Sequence, residues 1–172
     1  MSFNNLGLSP ALLKSILEKG YTRPSEIQKE AIPEILQGKD ILAGAQTGTG
    51  KTAAFALPLL HKLQNAESKR RRIRVLVLVP TRELASQVGE SFREYGSNLR
   101  FKTSTLYGGV SINTQIDKLK KGVDIVVATP GRLLDHLNQK TLNLSELETF
   151  VLDEADRMLD MGFIRDIKKI LK

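Results

Sequence analysis

The chain has no cysteine and no tryptophan, and aromatic residues make up 5% of its 172 positions. Without cysteine there is no disulfide framework, no thiolate nucleophile and no Cys-ligated zinc. The two histidines, His61 and His136, have no spacing that suggests a metal, and both read as ordinary surface or core residues. Long hydrophobic runs are also missing: the longest strongly apolar stretch is about one strand in length, against the ~20 residues that a membrane span needs. Met1 to Pro10 is polar and uncharged, unlike a secretory leader. These absences point to a soluble, cytoplasmic protein with no membrane partner. Positive charge is what the chain has in excess, with 26 Lys and Arg against 19 Asp and Glu, a net +7. That balance favours a polyanionic partner without identifying one. By length this is one domain, large enough to bury a core without covalent staples.

The densest local signal is Asp40 to Thr52, Asp-Ile-Leu-Ala-Gly-Ala-Gln-Thr-Gly-Thr-Gly-Lys-Thr. A short apolar run, Ile41 to Ala43, reads as a strand leading into a glycine-punctuated turn. After Lys51 and Thr52, helix-forming residues continue from Ala53 to Leu57. Strand, turn and helix in this order make a phosphate-binding loop. Gly48 and Gly50 allow sharp bends that aim backbone N–H groups at phosphate oxygens, where the helix dipole also favours negative charge. Lys51 adds a positive charge for the β- and γ-phosphates, and the Thr52 hydroxyl suits Mg²⁺. The first position of the usual pattern is Ala45 where glycine is the general rule.

Elsewhere the chain alternates strand and helix. Ser9-Pro10 opens a helix with an apolar stripe at Leu12, Leu13, Ile16 and Leu17, ended by Gly20. Ser25 caps a second helix, bent or interrupted at Pro33 and stopped by Gly38. Val75 to Val79, Thr103 to Leu106, Asp124 to Ala128 and Thr149 to Leu152 read as further strands, each followed by a helix. Phe150-Val151-Leu152 is apolar enough for a central strand. With the run before the phosphate loop this makes five strands and an α/β fold: a mostly parallel central sheet with helices on both faces. Open α/β sheets bind ligands beyond the carboxyl ends of their strands. The phosphate loop, Pro80 to Glu83, Gly108-Gly109, Thr129 to Arg132 and Asp153-Glu154 each follow a strand, so all five clusters are expected on one edge. Lys69 to Arg74 enters its strand at the opposite end and reads as a solvated loop, with auxiliary RNA attraction the lesser alternative.

Asp153 emerges at the tip of an apolar strand, a poor place for a carboxylate without a cation nearby. Beside a bound nucleotide it would hold Mg²⁺, and Glu154 would position and deprotonate the attacking water. Taken alone, Asp153 to Asp156 reads more readily as a solvated helix N-terminus; the phosphate loop about 100 residues upstream at the same sheet edge turns the reading towards the metal role.

Asp153-Glu154-Ala155-Asp156, the Ala45 to Thr52 loop, Pro80-Thr81-Arg82-Glu83-Leu84-Ala85, Thr129-Pro130-Gly131-Arg132 and Gly20 to Gln28 occur here in one order and spacing. Together they resemble the first RecA-like domain of a DEAD-box ATP-dependent RNA helicase, and the short N-terminus resembles the bacterial RhlE type. That family usually places alanine at the first loop position, as Ala45 does here. The resemblance implies a Q-motif segment at 1–38, in which Gln28 reads adenine and Phe3 stacks on the base, followed by an ATP-binding RecA-like domain at 39–172. Packing of the first helix is the other reading of Phe3. It implies nucleotide contacts from Ala45, Gln46, Thr47, Gly48, Thr49, Gly50, Lys51 and Thr52, with catalytic roles for Lys51, Asp153 and Glu154 and metal contacts from Thr52 and Asp153. It further implies RNA contacts from Thr81, Arg82, Gly108, Gly109, Thr129 and Arg132, and interdomain coupling through Asp156. Thr81 and Thr129 also suit plain helix capping. ATP, Mg²⁺ and single-stranded or locally unwound RNA are the implied ligands. A second RecA-like domain, which supplies arginines for catalysis, is not in this sequence, and the apolar stripe Ile164, Ile167, Ile170, Leu171 runs to Lys172 without a stop signal, as in a chain cut from a longer protein. The fragment alone is then expected to bind nucleotide weakly and hydrolyse it slowly. A P-loop DNA translocase and a nucleotide-gated RNA-binding scaffold are the alternative functions.

Overall fold

The computed structural model describes residues 1–45, 48–66 and 70–172. The chain divides into two units by internal packing: Met1–Ser68 with Ser91–Arg100, and Lys69–Glu90 with Phe101–Lys172. Among the described residues no helix is long and apolar enough to cross a membrane.

The first unit is helical. A single 3-10 turn, Phe3–Asn5, precedes α1 (Pro10–Glu18), which has proline in its first turn, where a missing N–H costs no helix bond. Leu12 and Ile16 are buried on α1, but Leu17 is 72% exposed and does not belong to the buried stripe. α2 (Glu26–Leu36) continues past Pro33 as one helix, so of the two expected outcomes there, a bend or an interruption, the interruption does not occur. α3 (Lys51–Asn65) buries most of its length, from Ala53 to Leu60 and again at Leu63, and packs against α2. The last turn of α4 (Arg82–Tyr95), from Ser91, joins this unit: Phe92 lies 6.2 Å from Phe55 between ring centroids, and Lys19 pairs with Glu94 while its ammonium sits 4.7 Å from the Tyr95 ring. The amide of Asn98 donates to the Ser15 hydroxyl at 2.9 Å.

One expected strand is not formed. Ile41 to Ala43 has neither helix nor ladder pairing, and Leu42 is wholly exposed. Apolar residues favour extended backbone, but a strand exists only through hydrogen bonds to a neighbour, and none is paired with this run.

The second unit is built on four parallel strands: β1 (Val75–Leu78), β2 (Thr103–Leu106), β3 (Ile125–Ala128) and β4 (Thr149–Leu152), in spatial order β2-β3-β1-β4. The register is in step throughout: Val75 faces Ile125 and Thr149, and Leu78 faces Ala128 and Leu152. Helices α5 (Ile112–Lys120), α6 (Pro130–Asn138), α7 (Ala155–Asp160) and α8 (Ile164–Ile170) alternate with or follow the strands, the α/β parallel arrangement expected from sequence. β1 and β3 are buried at every residue, as strands covered on both faces must be. Leu76, Leu78, Leu106, Val126, Leu133, Met158 and Ile167 form the core. β4 corrects the sequence reading: it is an edge strand, and Leu152 is 38% exposed. Apolar composition signals covered faces, and it does not say whether both edges are paired.

The amino ends of the strands are held by charge. Asp124 is buried, pairs with Arg71, and accepts the Lys102 N–H at 2.8 Å. Arg74 is 2% exposed, pairs with Glu148 at 3.1 Å, and its backbone accepts the Glu148 N–H at 2.9 Å. The solvated-loop reading of this arginine run therefore fails at Arg74. A guanidinium tolerates burial only when a carboxylate meets it, and Glu148, distant in sequence, does so. Asp124→Ala removes the carboxylate that Arg71 meets and leaves the Lys102 N–H without its acceptor. It should lower unfolding stability by roughly 2–4 kcal/mol, read as a shift in the urea midpoint at unchanged slope. An unshifted midpoint would show the pair to be energetically idle.

Candidate functional site

In the second unit every strand delivers its following turn to the same edge. The last ladder bonds fall at the point of exit: Val79 N–H to Ala128, Thr129 N–H to Leu106 and Asp153 N–H to Leu78, each at 3.0 Å. Thr81 caps α4 by accepting the Leu84 N–H at 3.2 Å. Thr129 stands at the N-cap of α6 without a side-chain cap bond. Arg82 is exposed, and its guanidinium lies 5.1 Å from the Tyr107 ring. Gly109 has φ +80°, and a Cβ there would sit 3.3 Å from the Arg82 guanidinium. Glycine takes this backbone without strain, and a side chain there would require the exposed Arg82 guanidinium to yield by a few tenths of an ångström. Thr81, Arg82, Tyr107, Gly108, Gly109, Thr129 and Arg132 are thus brought to one edge.

Beneath that edge lies a polar network that sequence reasoning missed. Arg132, with its side chain 13% exposed, donates to the Val110 carbonyl at 3.0 Å and to Gln115 Oε1 at 3.2 Å. The Gln115 amide donates to the Tyr107 carbonyl at 3.0 Å, so its oxygen is the acceptor. That oxygen also meets Nε2 of His136 at 3.0 Å, which makes Nε2 the protonated nitrogen, while Nδ1 lies 2.8 Å from the Thr141 hydroxyl. Gln115 carries no sequence signal, since a single glutamine on an amphipathic helix is ordinary. Tyr107 did carry one, as an aromatic ring next to a glycine pair at a strand end. His136 is wholly buried. Burial first, and then the Arg132 cation, lower its pKa below the ordinary 6.5, against a weaker opposing pull from Asp135.

Asp153 is 4% exposed at the tip of β4. Glu154 follows in left-handed backbone, φ 56° and ψ 50°, at the N-cap position of α7 without a side-chain cap bond, and Arg157 donates to its carboxylate at 3.3 Å. For a non-glycine residue that conformation costs about 1–2 kcal/mol, a strain of the kind found at functional positions. Asp156 is exposed on the first turn of α7.

In the first unit the glycine-rich loop ends as anticipated. Gly48 and Gly50 both have positive φ, 86° and 80°, and Gly50 is the N-cap of α3, whose first two residues are Lys51 and Thr52. Ala45 and Thr49 flank the turn. Gln46 and Thr47 lie outside the described residues. Gln28 is buried against this turn: its amide donates to the Gly50 carbonyl at 3.1 Å, and its oxygen accepts the Ser25 N–H at 3.0 Å. A Cβ on residue 50 would fall 2.3 Å from Gln28 Nε2. Phe3 is 5% exposed, so a face for stacking would have to be uncovered. Among the described residues no group of three or more His, Cys, Asp or Glu is placed to hold a metal.

Comparison with known proteins follows the same residues. Positions 25–172 match the family model for the DEAD/DEAH box helicase. The chain is 54% identical over 170 residues to the DEAD-box ATP-dependent RNA helicase CshA of Bacillus cereus, covering 99% of this chain and 32% of that protein. It is 50% identical over 169 residues to RhpA of Helicobacter pylori, covering 98% of this chain and 34% of that one, and 46% identical over 172 residues to CshA of Limosilactobacillus reuteri. The chain thus spans about a third of the length of these curated relatives.

Two outcomes follow from the geometry. Gly50→Ala meets both a left-handed backbone and the Gln28 amide, and should destabilise by about 2 kcal/mol or more, whereas Gly44→Ala, with open space at its Cβ, should cost under about 1 kcal/mol. Comparable thermal midpoints for the two would contradict the contact. His136 binds its proton less readily folded than unfolded, so its contribution is fully present above 6.5 and declines as pH falls below it. Thermal unfolding at about pH 7.5 and about pH 5.5 should show the lower midpoint in acid, and His136→Gln should be less stable at the higher pH by roughly 1–3 kcal/mol with a shallower acid decline.

Proposed function

The chain belongs to the DEAD/DEAH box helicase family, and from that premise we propose that it is the N-terminal ATP-binding portion of an ATP-dependent RNA helicase. The observation that carries this reading is the turn at Gly48 and Gly50, left-handed at both glycines, opening directly onto a 15-residue helix that begins Lys51-Thr52. Such a helix N-terminus favours phosphate by its free N–H groups and its dipole. In this reading residues 1–38 form the adenine-recognising segment and 39–172 the RecA-like part. Within the family the RhlE type is proposed, on the resemblance of the short N-terminus alone.

The roles follow residue by residue. Ala45 to Thr52 cradle the phosphates, with Lys51 neutralising charge. Gln28 uses one hydrogen and one lone pair on Gly50 and Ser25, which leaves one of each to read the adenine edge. Phe3 serves the base by stacking once its ring is uncovered. Thr52 and Asp153 offer hard oxygen donors of the type Mg²⁺ takes, and the ion when bound would offset charge on the phosphates. Glu154 orients and accepts a proton from the attacking water, and its strained backbone holds the carboxylate in place. Arg82, exposed beside Tyr107, Gly108 and Gly109, meets RNA phosphate, with Thr81 and Thr129 on sugar and phosphate oxygens. Arg132 acts on the same strand and also holds the 108–110 turn through Val110. Asp156 couples this strand end to the second RecA-like domain, which supplies the remaining catalytic arginines in a longer protein. The chain alone is therefore a poor ATPase.

Lys51→Ala should weaken binding of a fluorescent ATP analogue by about tenfold or more. Glu154→Gln, in a protein that carries this chain together with the second domain, should bind the analogue normally and turn ATP over about 100-fold more slowly with RNA present. Undiminished turnover would remove Glu154 from its role.

A further inference from the structure

At the amino ends of the strands, opposite the edge that carries the motifs, the second unit has a cleft of about 510 Å³. Its floor is aliphatic: Ile73 and Val123, both nearly buried, with Leu119 and Leu142 partly exposed. Its rim carries Arg70, Arg72 and Lys140 with one carboxylate, Glu146, which pairs with Arg72. The three segments that build it, 70–74, 118–124 and 140–148, hold eight Lys and Arg against three Asp and Glu, a net +5 of the chain's +7. Part of that charge is committed inside the fold, Arg71 to Asp124, Arg72 to Glu146 and Glu148 at 3.6 Å each, and Arg74 to Glu148, so the lysines carry the uncompensated charge. Lys118, Lys120 and Lys121 on the last turns of α5, and Lys140, are exposed and form no ion pair among the described residues. Lys140 also has φ 56°, a left-handed position that glycine would take without strain.

We propose that this cleft docks an acidic peptide segment of a separate partner protein, anchored by aliphatic side chains. The volume lies in the range of ligand sites, about 300–1,000 Å³, and suits two or three aliphatic side chains on the floor. The lysines of α5 continue the positive charge outside the cleft, which fits an extended ligand better than a compact anion. No aromatic ring lines the cleft, so it lacks the stacking surface that single-stranded nucleic acid uses, and an aliphatic floor offers phosphate nothing. Carboxylates on the rim and leucine-like anchors below match the charge and the apolar area together.

The test uses the 172-residue chain and a fluorescein-labelled synthetic peptide carrying Asp and Glu with interspersed Leu, read by fluorescence polarisation. The peptide should bind with a dissociation constant on the order of 10 μM, and a control with every Leu changed to Ser at equal charge should bind about tenfold more weakly or worse. The K120E/K121E/K140E variant should lose about tenfold or more, while K14E/K168E/K169E, with the same change in net charge on exposed lysines elsewhere, should bind as the parent does. All six positions are exposed, so folding, checked by circular dichroism, is retained. Equal affinity for the Ser control, equal losses in the two variants, no binding, or an oligouridylate displacing the peptide from the same lysines would each overturn the proposal. None of these readouts depends on ATP.

Discussion

Parallel pairing of β1 with β3 and β4 is the constraint on which the second unit depends. Parallel strands in register all run the same way, so all end at the same edge, and every turn that leaves a strand leaves from there. Arg82, Gly108, Gly109, Arg132 and Asp153 come from positions up to 71 residues apart in sequence, yet each stands within four residues of a strand end. The same rule sends the basic segment 70–74 to the other end. The sheet thereby separates two surfaces of different character with one hydrogen-bonding pattern.

Both ends are stiffened by buried polar groups. At the amino end, Asp124 and Glu148 answer arginines that precede β1, and the backbone of Arg74 is bonded on either side to β3 and β4 segments. At the carboxyl end, Gln115 accepts from Arg132 and His136 while donating to Tyr107. Such groups stabilise little in net terms but are costly to leave unmatched, so they discriminate against other registers. The Gln115 network spans α5, α6 and the turn after β2, and it fixes the turn that Gly108 and Gly109 form.

The first unit meets a different demand, that a backbone turn come close to a buried amide. Gly50 satisfies it twice, through a left-handed φ and through the space Gln28 occupies. The 2.3 Å that a Cβ would leave makes residue 50 a glycine for packing reasons as well as for phosphate geometry.

Much of this was legible in the sequence because it is local. Strand starts at Val75, Thr103 and Thr149, the helix start at Pro10, and the sharp bends at Gly48 and Gly50 each follow from neighbouring residues: apolar runs, caps, proline and glycine, while β3 begins one residue later than the apolar run suggested and α3 two residues earlier. Motif spacing likewise identified the family. What sequence could not supply were facts set by distant partners. Ile41 to Ala43 has strand composition but no ladder, β4 has core composition but an edge place, and Arg74 looks solvated but is buried by Glu148. Leu17 fits a helical stripe yet faces water, and Gln115 has no signal until Arg132 and His136 close on it. Propensity and periodicity are properties of a short stretch, whereas pairing, burial and charge compensation belong to whatever the rest of the chain brings alongside, and only the tertiary structure decides that.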